Sequence, residues 1–251
     1  MQRFWKPGGA VIQVHVGVEV DPEGRALAWA REWFGCTAHG ESAEAAARAM
    51  PAALRGFWDW LRRHGETGVP SAGQAIEIAG IEEFEVGSNL ADADSEGFFS
   101  FDREALSDTD LARARRYRSY ARADALELLT RLEAEQLTLP VGRSGRSIAA
   151  TLAHLATADL WYAQRTGDRP QDKEWLEVLL QELRHVADTQ LEARLAADTP
   201  GEPVNFRPGV WDEGGRTEQW TPQKSLRRFI WHDLLHVRAI ERTLNGQRAI
   251  H

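Results

Sequence analysis

WTPQKSLRRFIWHDLLHVRAIERTLN, residues 220 to 245, predicts one long amphipathic helix that carries two histidines, His232 and His236. Thr221 is a favourable N-cap, and the proline that follows it fits the first helical position, where its missing N–H costs nothing. Asn245 followed by glycine is typical of a helix end. This stretch sets the fold class of the C-terminal part of the chain as helical.

The two histidines fall on the apolar stripe of this predicted helix. Phe229, His232, His236 and Ile240 recur at the i, i+3, i+4 spacing, so both imidazoles are expected to face a core. A polar ring in a core needs a partner. Side chains at i and i+4 stand roughly 6 Å apart at Cβ, so both rings can reach one metal ion.

Length, charge and cysteine content exclude several classes of protein. The 251 residues, 43% of them hydrophobic, can form one large domain or two ordinary ones. A net charge of −8 disfavours general nucleic-acid binding through basic patches. Cys36 is the single cysteine, which excludes an intrachain disulfide and suits a reducing cytoplasm. No apolar run approaches the ~20 residues needed to span a bilayer, and the start lacks a signal-peptide pattern, so a cytoplasmic protein without membrane contact is expected.

The first third of the chain predicts a small β-sheet with one helix. Its predicted strands are residues 11–20, 25–31 and 33–38, followed by a last pair of short extended segments around Gly80 within residues 74–86. Ser42 is a favourable cap for a helix that runs to about His64, and Pro51 inside it predicts a kink or a restart. The apolar stripe of that helix is Leu54, Phe57, Trp58 and Leu61.

The β-β-β-α-β order and the segment FGCTAHGESAEAAARAMPAAL resemble the HicB-like antitoxin domain over about residues 10 to 86. The matching positions are Gly35-Cys36, Gly40 and the Ser42 cap before an alanine-rich helix. The resemblance implies a small sheet packed on one helix and a role in binding a partner protein. A plain α+β accessory domain is the alternative. Residues 1–86 are therefore assigned to an α+β domain.

The remainder of the chain predicts a linker and an all-α domain. Residues 87–105 are small, acidic and turn-rich, which is typical of a domain boundary, and residues 106–251 follow as the second domain. Its predicted helices span about residues 107–136, 147–167, 172–199 and 220–245. Four helices of this length indicate a four-helix bundle. The connection from 199 to 220, which holds Trp211, is long enough to be a functional loop or a crossover.

His154, in the middle of the second predicted helix of this domain, is the third candidate ligand. Its i±3 and i±4 neighbours are small and apolar, so by itself it is most simply a core histidine bonded to a carbonyl. Three core-facing imidazoles from two helices favour another interpretation. Each unpaired ring would cost of order 1–3 kcal/mol, and a shared cation removes that cost for all three.

RSIAATLAHLATADLWYAQR together with WTPQKSLRRFIWHDLLHVRAIER resembles the DinB/YfiT-like family of metal-binding four-helix bundles, over about residues 107 to 245. The resemblance implies an up-up-down-down bundle with a divalent ion, commonly zinc or nickel, on His154, His232 and His236. It also implies frequent homodimers, and some members of the family are transferases or isomerases that use low-molecular-weight thiols.

Three neutral imidazoles leave at least one coordination position open, which is typical of catalytic rather than structural sites. The first hypothesis is therefore a metal-dependent enzyme that transfers a thiol to a small electrophile or hydrolyses a small-molecule substrate. The second hypothesis is a non-catalytic binding or regulatory protein. In that case the HicB-like domain binds a partner and the metal only stabilises the bundle.

Other residues are weaker candidates for the site. Asp233 is expected either to orient a ligand ring or to face water. Asp159 and the Arg227-Arg228 pair are interpreted as solvated surface, although the arginines can also meet an anionic substrate group. Candidates for the wall of a pocket, with core packing as the alternative, are Trp161, Tyr162, Trp211 and Trp231. Cys36 is interpreted as a small buried residue.

Overall fold

The chain divides into two units, residues Met1–Leu90 and Ala91–His251, in the computed structural model. The structure describes residues 11–87, 90, 96–142, 145–164, 202–206 and 218–246. The helix predicted over residues 172–199 and the pocket candidate Trp211 lie outside the described residues.

The first unit is a four-stranded sheet with one helix. Its elements are β1 (Ile12–Val20), β2 (Ala26–Ala30), β3 (Thr37–Gly40), α1 (Ala43–Arg63) and β4 (Ile76–Glu85). The strand order in the sheet is β3-β2-β1-β4, with β1 antiparallel to β2 and parallel to β4. The predicted small sheet and its β-β-β-α-β order are thus confirmed.

Helix α1 begins where the sequence predicts. The Ser42 hydroxyl accepts a hydrogen bond from the Ala45 N–H at 3.2 Å. The helix continues through Pro51, so the predicted alternative of a restart at this residue is wrong. All four residues of the predicted apolar stripe are buried: Leu54, Phe57, Trp58 and Leu61.

Two strand predictions in this unit are wrong in their details. The strand predicted at residues 33–38 begins only at Thr37, because the Cys36 N–H bonds back to the Trp33 carbonyl and closes a turn. Residues 74–86 contain one continuous strand instead of two short segments. Its register against β1 shifts between Val14 and His15, so the irregularity near Gly80 is a bulge and not a break.

Gly40 marks the close approach of β3 to the first turn of α1. A Cβ at this position would lie 2.7 Å from the Ala45 carbonyl carbon and 2.8 Å from the Ala46 Cα, both backbone atoms that cannot rotate away. Gly40→Ala is therefore expected to lower the free energy of unfolding by about 3 kcal/mol, measured by urea denaturation. The matched control is Gly56→Ala, inside α1 with nothing within 4 Å, which is expected to raise it by roughly 0.5–1 kcal/mol. Equal effects of the two substitutions would contradict the steric argument.

The second unit is mainly helical. Its elements are a 3-10 helix (Ser100–Arg103), α2 (Asp108–Thr130), a 3-10 helix (Ala134–Thr138), β5 (Pro140–Val141), β6 (Arg146–Ser147), α3 (Ile148–Gln164), β7 (Val204–Phe206), β8 (Glu218–Trp220) and α4 (Pro222–Leu244). Three of the four predicted helices of the bundle are present in the described residues. The Thr221 hydroxyl caps α4 by accepting from the Lys224 N–H, and the helix ends at Asn245, as predicted.

One helix prediction for this unit is wrong, and two segments predicted as a connection and a linker contain more structure than expected. Helix α2 ends at Thr130, about six residues early, because residues 134–138 wind as a 3-10 helix instead. The connection from 199 to 220 contains a strand pair, in which Val204 faces Trp220. The segment predicted as a linker contains Phe99 and Asp102, which are buried in the second unit.

Helix α4 is the centre of this unit. Every residue from Pro222 to Leu234 is buried, whatever its polarity. The C-terminal half packs against α2, α3 and the β5–β6 hairpin through one apolar cluster: Ala125, Leu128, Val141, Ile148, Leu152, Leu155, Ala156, Val237 and Ile240. No helix among the described residues is both long and apolar enough to cross a membrane.

Candidate metal centre

Three histidines converge where α3 meets α4. The Nε2 atom of His232 lies 3.2 Å from Nε2 of His154 and 3.1 Å from Nε2 of His236. One ring nitrogen from each of the three residues lies within 4.8 Å of the other two. The structure therefore brings together the three residues that the sequence predicts as metal ligands. Among the described residues this is the one group of three or more such side chains that could hold an ion.

The local fold explains the convergence. His232 and His236 are one turn apart on α4, so their rings point to the same side. The apolar cluster holds α3 against α4 and brings His154 opposite them. His232 is buried, with 3% of its surface exposed, whereas His154 and His236 are partly exposed. The centre therefore has a buried side at His232 and a side that solvent can reach.

The short contacts fit a shared cation better than a hydrogen-bonded chain of rings. A neutral imidazole nitrogen carries either one N–H or one lone pair, so Nε2 of His232 can make only one good hydrogen bond. It nevertheless has two nitrogen neighbours at 3.1 and 3.2 Å. Three lone pairs aimed at one point give such spacing, because Zn–N bonds of about 2.0–2.1 Å at tetrahedral angles separate the nitrogens by about 3.3–3.4 Å.

The surroundings keep all three rings neutral. Burial, and then the charge of Arg146, lower the pKa of His154 to about 4. Burial, then His154 and Arg146, lower the pKa of His236 to about 3. The pKa of His232 is lowered well below its ordinary value, first by burial and then by the neighbouring histidines and arginines. Neutral imidazoles offer the lone pairs that metal coordination requires.

These lowered pKa values predict acid sensitivity of the metal-free protein. Between pH 6.5 and about 3, the His236 ring takes up a proton in the unfolded chain and not in the folded one, so the free energy of unfolding falls as pH falls. This ring adds at most about 1.4 kcal/mol per pH unit to that slope. Urea unfolding of the EDTA-treated protein between pH 7.5 and 4 is expected to show a shallower dependence for His236→Gln. Identical slopes in variant and parent would contradict the prediction.

A buried ion-pair cluster lies beside the histidines. Arg122 of α2 donates to Asp159 of α3 at 2.6 Å and to Asp233 of α4 at 3.3 Å. All three side chains are buried. The surface assignment of Asp159 is therefore wrong, because a buried arginine from another helix compensates its charge. For Asp233, the alternative that it faces water is also wrong.

The arginine pair of α4 is buried as well, which corrects the prediction of a solvated face for Arg227 and Arg228. Arg227 donates two hydrogen bonds to Asp102, at 2.9 and 2.7 Å, and one to the Gly97 carbonyl. Lys224, one turn earlier, is also fully buried, and burial lowers its pKa to about 7. Its ammonium donates to the Gln219 carbonyl and lies 4.3 Å from the centre of the Trp220 ring.

Sequence reasoning missed Arg122, Asp102 and Lys224 as buried groups. Charged residues on a predicted helix are usually solvated, so the helical period alone assigns Arg122 and Lys224 to the surface, and Asp102 lies in the segment predicted as a linker. For Arg122 a weak signal existed, since Ala121 and Ala125 beside it leave room for a long side chain.

The remaining candidates have mixed outcomes. Trp231 is buried in the core, and Cys36 is a small buried residue, as predicted. Trp161 and Tyr162 belong to α3, and their side chains lie outside the described part of the structure. Their assignment to a pocket wall stays a prediction.

A comparison with protein families matches residues 109–240 to the model of the DinB family. The chain belongs to the DinB family. The DinB match includes all three histidines of the centre, the Arg122 cluster and the β7–β8 pair. It does not include the first unit, whose likeness to HicB domains stays a prediction.

Comparisons with individual proteins add little to the DinB assignment. No curated protein matches the chain. Among solved structures, YfiT from Bacillus subtilis, described as a probable metal-dependent hydrolase with an unusual four-helix bundle topology, is 17% identical. The alignment covers 57% of this chain and 92% of that one, with a TM-score of 0.42. At this score the likeness supports no argument about activity.

Proposed function

We propose that this DinB-family chain is a metal-dependent enzyme with a three-histidine centre. The observation that carries the proposal is the convergence of one ring nitrogen each from His154, His232 and His236. The ion that best fits three neutral imidazoles is zinc or nickel, since imidazole suits both. Three protein ligands leave at least one position for water or substrate, which distinguishes a catalytic site from a closed structural one.

The residues of the chain prepare this centre in two ways. Burial keeps the three rings neutral, so protons compete little with a metal ion near neutral pH. The Arg122 cluster ties α2, α3 and α4 together next to His232, which fixes the helices that carry the ligands. When bound, a divalent ion would act as a Lewis acid and lower the pKa of a coordinated water or thiol.

The reaction class proposed is hydrolysis of a small molecule, or transfer of a low-molecular-weight thiol to a small electrophile. Both need a nucleophile that is activated near neutral pH, and this is what an open three-histidine site provides. The partly exposed rings of His154 and His236 support access for a small-molecule substrate. A homodimer is proposed from the family resemblance alone and is checked by light scattering in solution.

Elemental analysis of the purified protein, followed by cobalt substitution, tests the proposal. We expect one divalent ion per chain, and a visible spectrum of the cobalt form that changes when a thiol is added. A panel of esters, and of electrophiles with several thiols, then separates hydrolysis from thiol transfer. Absence of bound metal after loading with zinc, nickel or cobalt would overturn the proposal.

The second candidate function is that of a binding or regulatory protein in which the metal is structural. The sheet and helix order of the first unit favours it, because this order agrees with the HicB-like resemblance. For this candidate, metal removal lowers the melting temperature and the cobalt spectrum does not respond to thiols. Turnover of any member of the substrate panel by the metal-loaded protein excludes it.

A further inference from the structure

Arg122 connects the two helices that carry the three histidines, although its own helix, α2, contains no histidine. Its Nη2 atom donates to Asp159 of α3 at 2.6 Å, and its Nε atom donates to Asp233 of α4 at 3.3 Å. A longer hydrogen bond runs from Nη2 to the second oxygen of Asp233, at 3.4 Å. One guanidinium therefore bridges a carboxylate on each of the two ligand-bearing helices.

This Arg122 bridge is attached near the ligands along each helix. Asp233 directly follows the first of the two α4 histidines and precedes the second by three residues, so it lies within one helical turn of both. Asp159 follows His154 by five residues, about one and a half turns along α3. The bridge therefore acts on the rings through the two helices, because it sets the distance between α3 and α4 where the rings face each other.

Burial makes the Arg122 bridge resistant to stretching. The side chains of Arg122, Asp159 and Asp233 are 7%, 2% and 1% exposed, so water has little access to their hydrogen bonds. A planar guanidinium presents its donors in a fixed fork, which ties the positions of the two carboxylates to each other. Movement of α3 away from α4 would leave buried charges without compensation, which is costly.

The ring nitrogens need such a constraint before an ion binds. Nε2 of His232 has two nitrogen neighbours, at 3.1 and 3.2 Å, and a neutral imidazole nitrogen can make only one good hydrogen bond. The other contact then brings together two lone pairs or two N–H groups, which repel each other. A bridge that holds α3 against α4 offsets this repulsion and keeps the three nitrogens at the spacing that a shared ion requires.

We propose that Arg122 is a positioning residue of the metal centre, and that its bonds to Asp159 and Asp233 hold His154 at the correct distance from the α4 histidines. The inference rests on the proposed function, since it concerns a centre that binds an ion. It assigns control of metal affinity and of coordination geometry to α2, a helix without ligands. An ion pair with a purely structural role would affect the stability of the protein and neither of these two properties.

Arg122→Met removes the bridge and keeps an unbranched apolar side chain in its place. Zinc affinity, from competition with a chromogenic chelator, is expected to fall about tenfold, since changes in residues that support a metal ligand typically cost about 10–100-fold. The visible bands of the cobalt-loaded variant are expected to differ from those of the parent protein, because the three ligands no longer meet at the same spacing. Circular dichroism of the metal-free variant checks that it is folded.

Asp102→Asn is the matched control, because it breaks another buried ion pair of the same unit. Asp102 bonds to Arg227, which joins α4 to the 3-10 helix at residues 100–103 and not to α3. This variant is expected to lose stability, to bind zinc within twofold of the parent protein and to keep the parent cobalt spectrum. An equal fall in zinc affinity in Asp102→Asn and Arg122→Met would assign the effect to general destabilisation and overturn the positioning role.

A second bridge variant covers the case in which Arg122→Met does not fold. Asp159→Asn keeps the size of the side chain and leaves Arg122 its bond to Asp233, but it weakens the short bond to α3. Its zinc affinity is expected to fall in the same direction as that of Arg122→Met, by a smaller factor that still exceeds twofold, with altered cobalt bands.

The outcomes separate this inference from the proposed function. Failure of the parent protein to take up cobalt overturns the proposed function and the inference with it. One cobalt per chain in the parent, together with unchanged zinc affinity and cobalt bands in a folded bridge variant, overturns only the role of Arg122. Weaker zinc binding and altered cobalt bands in the bridge variants, but not in Asp102→Asn, support the inference.

Discussion

Replacing His232 with alanine is expected to lower zinc affinity at least a hundredfold. His232 is the middle ring, because its Nε2 lies within 3.2 Å of the corresponding atom of both other histidines. Without it, His154 and His236 provide two ligands from different helices, which is too few for a three-coordinate site. Mutation of a residue that only hydrogen-bonds to a metal ligand already lowers metal affinity about 10–100-fold, so loss of the ligand itself is expected to lower it further.

Competition with a chromogenic chelator measures this change. The control is His64→Ala, at the end of α1 in the first unit, which is expected to leave zinc affinity unchanged. Far-ultraviolet circular dichroism of the metal-free proteins checks that His232→Ala still folds. Undiminished zinc affinity in a folded His232→Ala protein would show that the three rings are not a metal centre.

Asp102→Asn is expected to destabilise the protein by about 3–5 kcal/mol, the largest effect on stability anticipated here. The Asp102 carboxylate is fully buried and accepts two hydrogen bonds from Arg227 and one from the Phe99 N–H. The Asp102 carbonyl also accepts from the Thr221 hydroxyl, which caps α4. Neutralising Asp102 leaves the Arg227 charge buried without its counter-charge.

Chemical denaturation measures the loss. Glu127→Gln serves as the control, since Glu127 is 68% exposed and pairs with Arg131 at 3.9 Å; its loss is expected to cost under about 1 kcal/mol. A double variant, Asp102→Asn with Arg227→Met, removes both charges and is expected to be more stable than Asp102→Asn alone. A double variant that is less stable than the single one would argue against an uncompensated charge as the cause.

The sequence predicted the elements that depend on local signals. The Ser42 and Thr221 caps and the end of α4 at Asn245 follow from hydrogen bonds within a few residues, and all are present in the structure. The i, i+4 spacing of His232 and His236 likewise places both rings on one side of a helix without tertiary information. The sequence also places His154 on an apolar helix face, but its position opposite the other two depends on the packing of α3 on α4, which only the family resemblance implied.

The buried charges could not be predicted in this way. Arg122 finds its carboxylates on two other helices, and Arg227 finds Asp102 in a segment whose composition is typical of a linker. These partners are more than 30 residues away in the chain, so a sequence pattern of a few residues cannot indicate them. The helical period then assigns a charged residue to solvent, which is wrong wherever a helix is buried on all sides, as in the first half of α4.

The separation of the ligands along the chain has a consequence for unfolding. His154 and His232 are 78 residues apart, so an ion held by both would close a covalent-like ring of that length in the unfolded chain. By analogy with a disulfide, a crosslink of this span removes chain entropy equivalent to roughly 4–5 kcal/mol. Where the ion remains bound to the unfolded chain, the segment between His154 and His232 would form a closed loop. The metal-bound chain would then refold from a smaller set of conformations than the metal-free chain.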